Sequence, residues 1–148
     1  MHARYLEGEG MSKKLNEFIK KLMIIPYLHQ GRSYQGADCG GVIMIFHRDF
    51  LGINIPDFNI EYDENWAVQG GKSLFIENYY TLFERVDNPV RFDIILQQTK
   101  KGIANHGGIV LGNGKFLHMT RDGVSIHRYN DDIWKRRFNG FYRFKKTL

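Results

Sequence analysis

Ala37-Asp38-Cys39-Gly40-Gly41-Val42-Ile43-Met44-Ile45-Phe46 carries the only cysteine of the chain. The residues before it, Pro26-Tyr27-Leu28-His29-Gln30-Gly31-Arg32-Ser33-Tyr34-Gln35-Gly36, are polar and glycine-bearing, so they read as a loop. Asp38 is a good N-cap for a helix from Cys39 to about Leu51, and Gly52 suits its exit. Gly40 and Gly41 weaken this helix, and close approach of another backbone would account for them. A thiol in a first helical turn feels the positive end of the helix dipole and unpaired backbone amides. That setting favours thiolate and makes Cys39 a candidate nucleophile. The alternative is a buried cysteine acting as a small hydrophobe.

Outward from this stretch, the composition sets the class. The 148 residues fit one domain, and 43% hydrophobic with 14% aromatic residues describes a folded globule. One cysteine excludes an internal disulfide. No apolar run approaches the roughly 20 residues that span a bilayer. The first ten residues lack the apolar segment of a secretory signal, so Met1–Gly10 reads as a leader or expression scar. Residues 11–148 then form a single domain, made in the cytoplasm. The net charge is +5, and its basic pairs are dispersed along the chain. This implies mild attraction to polyanions such as an anionic cell wall or nucleic acid, without a dedicated nucleic-acid groove.

Ser12 can cap a helix to about Ile24 with Leu15, Phe18, Ile19 and Leu22 on one face, and Pro26 stops it. Residues 53–88 read as an extended crossing followed by a helix over Leu74 to Val86. Strands are expected at Phe92–Gln98, His106–Leu111, Phe116–Thr120, Val124–Arg128 and Phe141–Phe144. Helices first and strands second imply an α+β fold with an antiparallel sheet of about five strands.

Asn105-His106-Gly107-Gly108-Ile109-Val110-Leu111-Gly112-Asn113-Gly114-Lys115-Phe116-Leu117-His118-Met119 reads as a β-hairpin. A two-residue Asn113-Gly114 turn pairing Ile109 with His118 would put His106 and His118 on opposite faces. A three-residue Gly112-Asn113-Gly114 loop pairs Leu111 with Lys115 and Gly108 with His118. The two histidines then share a face as diagonal neighbours, ~7–8 Å apart. This register also collects Ile109, Leu111, Leu117 and Met119 on the opposite face, so the three-residue loop is expected.

If the Cys39 helix crosses the histidine face, thiol and two imidazoles fall in line. A thiolate attacks a carbonyl, one imidazole moves the proton to the leaving amine, and a third group holds that imidazole in its productive tautomer. His106 is the better base and His118 the better orienter. Two alternatives stay open. Both histidines could be ordinary strand residues, or Cys39, His106 and His118 could ligate zinc, although their spacing is not that of a compact metal motif.

These residues resemble the NlpC-type cysteine peptidases of bacterial cell walls, a family with a papain-like fold. The resemblance rests on Pro26-Tyr27, Gly31, Gly36 and Asp38-Cys39-x-Gly41. It continues through His106-x-Gly108-Ile109-x-Leu111-Gly112-x-Gly114-x-Phe116-Leu117-His118 and Gly123-Val124. It implies Cys39 as nucleophile, His106 as general base, His118 as orienting third member and Tyr27 at the oxyanion site. It also implies a peptidoglycan stem peptide as substrate, cut at the bond between D-γ-glutamyl and the diamino acid through an acyl-thioester, with no metal or organic cofactor. Leu51-Gly52-Ile53-x-Ile55-Pro56, Trp66, and Trp134 with Arg136-Arg137 before Gly140-Phe141-Tyr142-Arg143 resemble the phage tail-associated branch, whose partners are tail-tip or baseplate proteins. A non-catalytic tail module and an acyl transferase are the rival readings. Two departures stand out: Gly40 where the family usually has Ser, and Phe92-Asp93-Ile94 where it usually has Gly-Asp-Leu.

Overall fold

The computed structural model describes residues 8–57, 79, 81–100 and 103–145. It forms two compact units: a helical one reaching to Pro56 and taking in Met119–Ser125, and a sheet unit holding the remainder.

In the helical unit, α1 spans Gly8–Met23. It starts before the expected Ser12 cap, because Met11 extends the apolar stripe by one turn. Met11, Leu15, Phe18 and Leu22 are buried at helical spacing while Ser12 is exposed. Two short strands, β1 (Arg32–Ser33) and β2 (Gly36–Ala37), form a ribbon leading into α2 (Cys39–Phe46). A wider π-type turn, His47–Leu51, continues α2, and Gly52 ends it in the left-handed conformation at φ 71°. The expected helix to Leu51 with a glycine exit is therefore present, in two hydrogen-bonding modes. Phe18 meets Phe46 edge-on with ring centroids 5.5 Å apart and Phe50 at 5.3 Å, which locks α1 onto the α2 segment.

Among the described residues the sheet has six strands rather than five: β3 (Phe83–Val86), β4 (Ile94–Lys100), β5 (Ile103–Gly112), β6 (Lys115–Thr120), β7 (Gly123–Arg128) and β8 (Phe138–Phe144). A six-residue helix, α3 (Asp132–Arg137), precedes β8. The order is β3-β8-β4-β5-β6-β7, with antiparallel registers from β3 through β6. The extra strand is β3, where the sequence pattern suggested the end of a helix; residues 74–78 and 80, like Trp66, lie outside the described residues. Phe83-Glu84-Arg85-Val86 has no alternation of its own. It is a strand because β8 supplies its partners: Phe83 sits opposite Phe144 with rings 5.5 Å apart edge to face. Ile95, Val110, Phe116 and Phe141 form the core of one sheet face, with Trp134 and Phe138 against it.

The hairpin register is the expected one. Ile109 opposes Leu117 and Val110 opposes Phe116, so His106 and His118 share a face. The loop differs in detail. Gly112 pairs with Lys115, the turn is the two residues Asn113-Gly114, and a bulge between Val110 and Gly112 absorbs the extra residue. Asn113 at φ 54° and Gly114 at φ 75° have the two positive φ values of a type I′ turn, and Gly112 at φ 96° takes the strain of the bulge.

Candidate active site

Asp38 makes the corner that presents Cys39. Its buried carboxylate accepts from the Gly41 N–H at 2.9 Å, capping α2, and from the Gln30 N–H at 3.0 Å. Arg32 Nη1 donates to the same carboxylate at 2.7 Å. One side chain thus ties the loop, the ribbon and the helix start together. Gly41 is required by contact: a Cβ there would run into the Gly31 carbonyl. Cys39, which forms no disulfide, is half-buried as the first residue of α2. Tyr27 is half-buried and bridged to Ala37 by backbone pairing, with Leu28 N–H donating to Ala37 O at 3.0 Å and Ala37 N–H to Pro26 O at 3.1 Å. Arg121 lies over the Tyr27 ring, 5.3 Å from its centroid.

In the sheet unit, His106 Nε2 and His118 Nδ1 are 2.7 Å apart and share one proton. The diagonal placement expected from the register is therefore a direct hydrogen bond. A glycine at 108 makes room for it, because a Cβ at that position would meet Leu117 O at 2.6 Å and His118 Cβ at 3.0 Å. The bond occupies His106 Nε2 and leaves Nδ1 as the nitrogen available to a reacting group. Burial, with the Arg137 cation as a lesser influence, lowers the His106 pKa to about 4. Burial lowers that of His118 to about 2, and the neighbouring imidazoles add to the effect. Both rings are neutral near pH 7, so each offers one N–H and one lone pair.

Three side chains at this site escaped the sequence reading of its chemistry. His127 Nδ1 is 2.7 Å from His118 Nε2, extending the pair to three imidazoles. Counting back from a two-residue Arg121-Asp122 turn sets His127 diagonal to His118, the signal that could have found it. Trp134, noted only as a branch feature, lines all three rings, with centroids 6.2 Å from His106, 4.9 Å from His118 and 5.3 Å from His127. Gln97 stands opposite His106 on β4, fully buried, and neither of its side-chain polar atoms has a hydrogen-bond partner among the described residues. Among the described residues, no group of three or more His, Cys, Asp or Glu side chains is placed to hold a metal ion. No described helix is long and apolar enough to cross a membrane.

Phe92 accounts for one departure from the family pattern. It sits at φ 78°, a conformation that glycine adopts without cost and phenylalanine rarely does. The phenyl ring is buried, and Phe92 N–H donates to Val110 O at 2.7 Å. Packing and pairing thus hold the backbone in a conformation suited to glycine.

The model of the NlpC/P60 family matches residues 25–143. The chain belongs to the NlpC/P60 family. Its relatives include the probable peptidoglycan endopeptidase LytE of Bacillus subtilis, 29% identical over 131 residues, which cover 88% of this chain and 34% of that protein. Tail tip assembly protein K of Escherichia phage N15 is 26% identical over 123 residues, covering 82% of this chain and 50% of that one. The chain therefore spans a third to a half of these relatives. An NLP/P60 family protein similar to lipoprotein from Staphylococcus aureus has the same fold, with a TM-score of 0.66 at 19% identity over 90% of this chain and 40% of that one. The α+β architecture is thus that of NlpC/P60 domains, with N-terminal helices and an antiparallel sheet.

Proposed function

We propose that this NlpC/P60 domain is a cysteine endopeptidase or amidase acting on peptidoglycan stem peptides, with Cys39 as nucleophile, His106 as general base and His118 as its orienting partner. The observation that carries the reading is the 2.7 Å bond between His106 Nε2 and His118 Nδ1, which leaves His106 Nδ1 for a thiol. In the proposed reaction the Cys39 thiol gives its proton to His106 Nδ1 and Sγ bonds to the substrate carbonyl carbon. The tetrahedral intermediate collapses, the C–N bond breaks, and His106 returns the proton to the leaving amine. Water then attacks the thioester, its proton passes to His106, and the acid product departs as the Cys39 thiol is restored. The Cys39 N–H and the Tyr27 hydroxyl are the proposed oxyanion donors. A neutral His106 suits this role, because the thiolate formed beside it would raise its affinity for the proton.

Family membership and the similarity to a probable peptidoglycan endopeptidase support the substrate class. The family resemblance selects the bond between D-γ-glutamyl and the diamino acid. The similarity to a phage tail tip assembly protein supports a place in a tail tip or baseplate, where such a domain would open the wall. The test is digestion of purified peptidoglycan with product identification by mass spectrometry. Stem peptides cut after D-γ-glutamyl are expected from the wild type, and none from Cys39→Ala. Intact muropeptides after prolonged incubation with the wild type would count against the proposal and favour a structural tail module.

A further inference from the structure

His118 uses both of its ring nitrogens on other imidazoles: Nδ1 on His106 Nε2 and Nε2 on His127 Nδ1, each at 2.7 Å. A neutral imidazole has one donor and one acceptor, so the choice at either end of this chain fixes every proton in it. His118 is fully buried and cannot turn to water for a substitute partner. The rings of Phe116 and Trp134 flank it at 4.4 and 4.9 Å and hold its plane. His127 is half-buried and stands at the outer end of the chain.

We infer that His127 is a positioning residue, whose Nδ1 accepts the His118 Nε2 proton and thereby sets the tautomer of the whole imidazole chain. With His118 protonated at Nε2, its Nδ1 carries the lone pair that accepts from His106 Nε2–H. His106 Nδ1 is then unprotonated, the form required of a base facing a thiol. With the opposite order, His118 would donate from Nδ1, His106 would carry its proton on Nδ1, and the base would be blocked. Among the described residues, the groups facing His127 are His118, Phe116 and Trp134, with the Arg137 guanidinium over the Trp134 ring. This deepens the proposed function, on which its catalytic meaning rests; the tautomer assignment itself does not need a substrate.

The test uses the full chain labelled with 15N and long-range 1H–15N correlation spectra of the histidine rings near pH 7.5. The wild type is expected to show His106 and His118 protonated at Nε2 and bare at Nδ1. His127→Phe keeps a ring but removes the acceptor. His118 and His106 should then populate the Nδ1–H form, and the rate of peptidoglycan hydrolysis should fall about 10- to 100-fold with KM unchanged, the loss seen when the partner that orients a metal-bound histidine is removed. His127→Asn places a carbonyl oxygen where Nδ1 was and should restore the wild-type tautomer and most of the rate. An Nδ1–H form of His118 in the wild type would overturn the inference even if His127→Phe fails to fold. So would a His127→Phe protein with unchanged tautomer and rate. Assigned tautomers in a protein that leaves peptidoglycan intact would support the role of His127 and count against the hydrolase reading.

Discussion

Asp38 finds its partners at Gln30, Arg32 and Gly41, three to eight residues away, whereas His118 reaches His106 and His127 across strands, twelve and nine residues away. The Cys39 corner is thus built by local capping and close packing, and each of its parts can be read from its neighbours. The histidine chain depends on strand register, and a one-residue slip would send His106 or His118 to the opposite face. The first arrangement should fail piecemeal, the second as a unit.

The effect that reaches furthest, on fold and histidine chain together, should come from disturbing register. Gly108→Val puts branched carbon against the Leu117 carbonyl and His118 Cβ. The expected cost is about 1–3 kcal/mol in chemical denaturation, the range for overpacking, together with loss of the His106–His118 hydrogen bond in NMR spectra. A Gly108→Val protein of wild-type stability with that bond intact would show that the strands do not approach as closely as described.

Acid should separate the two regions next. His47, buried in the helical unit, donates Nδ1–H to Ile43 O at 2.8 Å, and burial lowers its pKa to about 4. His106 at about 4 and His118 at about 2 are depressed likewise. Each takes up a proton more readily when unfolded, so the stability their neutrality provides is whole above about pH 6.5 and lost as pH falls towards the folded values. Unfolding free energy should drop by on the order of a few kcal/mol between pH 6.5 and 4. His47→Gln should flatten that slope by up to one proton, while the spectra of His106 and His118 stay unchanged. An unchanged slope would place the acid sensitivity outside the helical unit.

A smaller, local loss is expected from Asp38→Ala. Removing the cap should cost about 0.5–2 kcal/mol, with the strands of the sheet unit still protected in hydrogen exchange. Uniform loss of protection across both regions would contradict the contrast drawn between them.

The same contrast explains what could be read in advance. The Asp38 cap, the Gly52 exit and the apolar stripe of α1 follow from neighbouring residues, and all were legible. The hairpin register was legible because Gly112-Asn113-Gly114 and the apolar alternation agree, though residue types alone did not separate a three-residue loop from a two-residue turn with a bulge. β3 was not, because Phe83–Val86 is a strand only through pairing with β8, whose residues lie more than fifty positions further on. His127 fell between these cases: a short turn makes its place countable, yet nothing local marks its ring as a partner of His118. Phe92 was visible as a departure from Gly-Asp-Leu, but its meaning came only with a φ of 78°.

The central claim is that His106 activates Cys39, and the pH dependence of Cys39 alkylation by iodoacetamide tests it most directly. The wild type should react at half its maximal rate well below pH 8, and His106→Ala should shift that midpoint up towards the roughly 8.5 of an ordinary thiol. Superimposable profiles for the two proteins would contradict the claim.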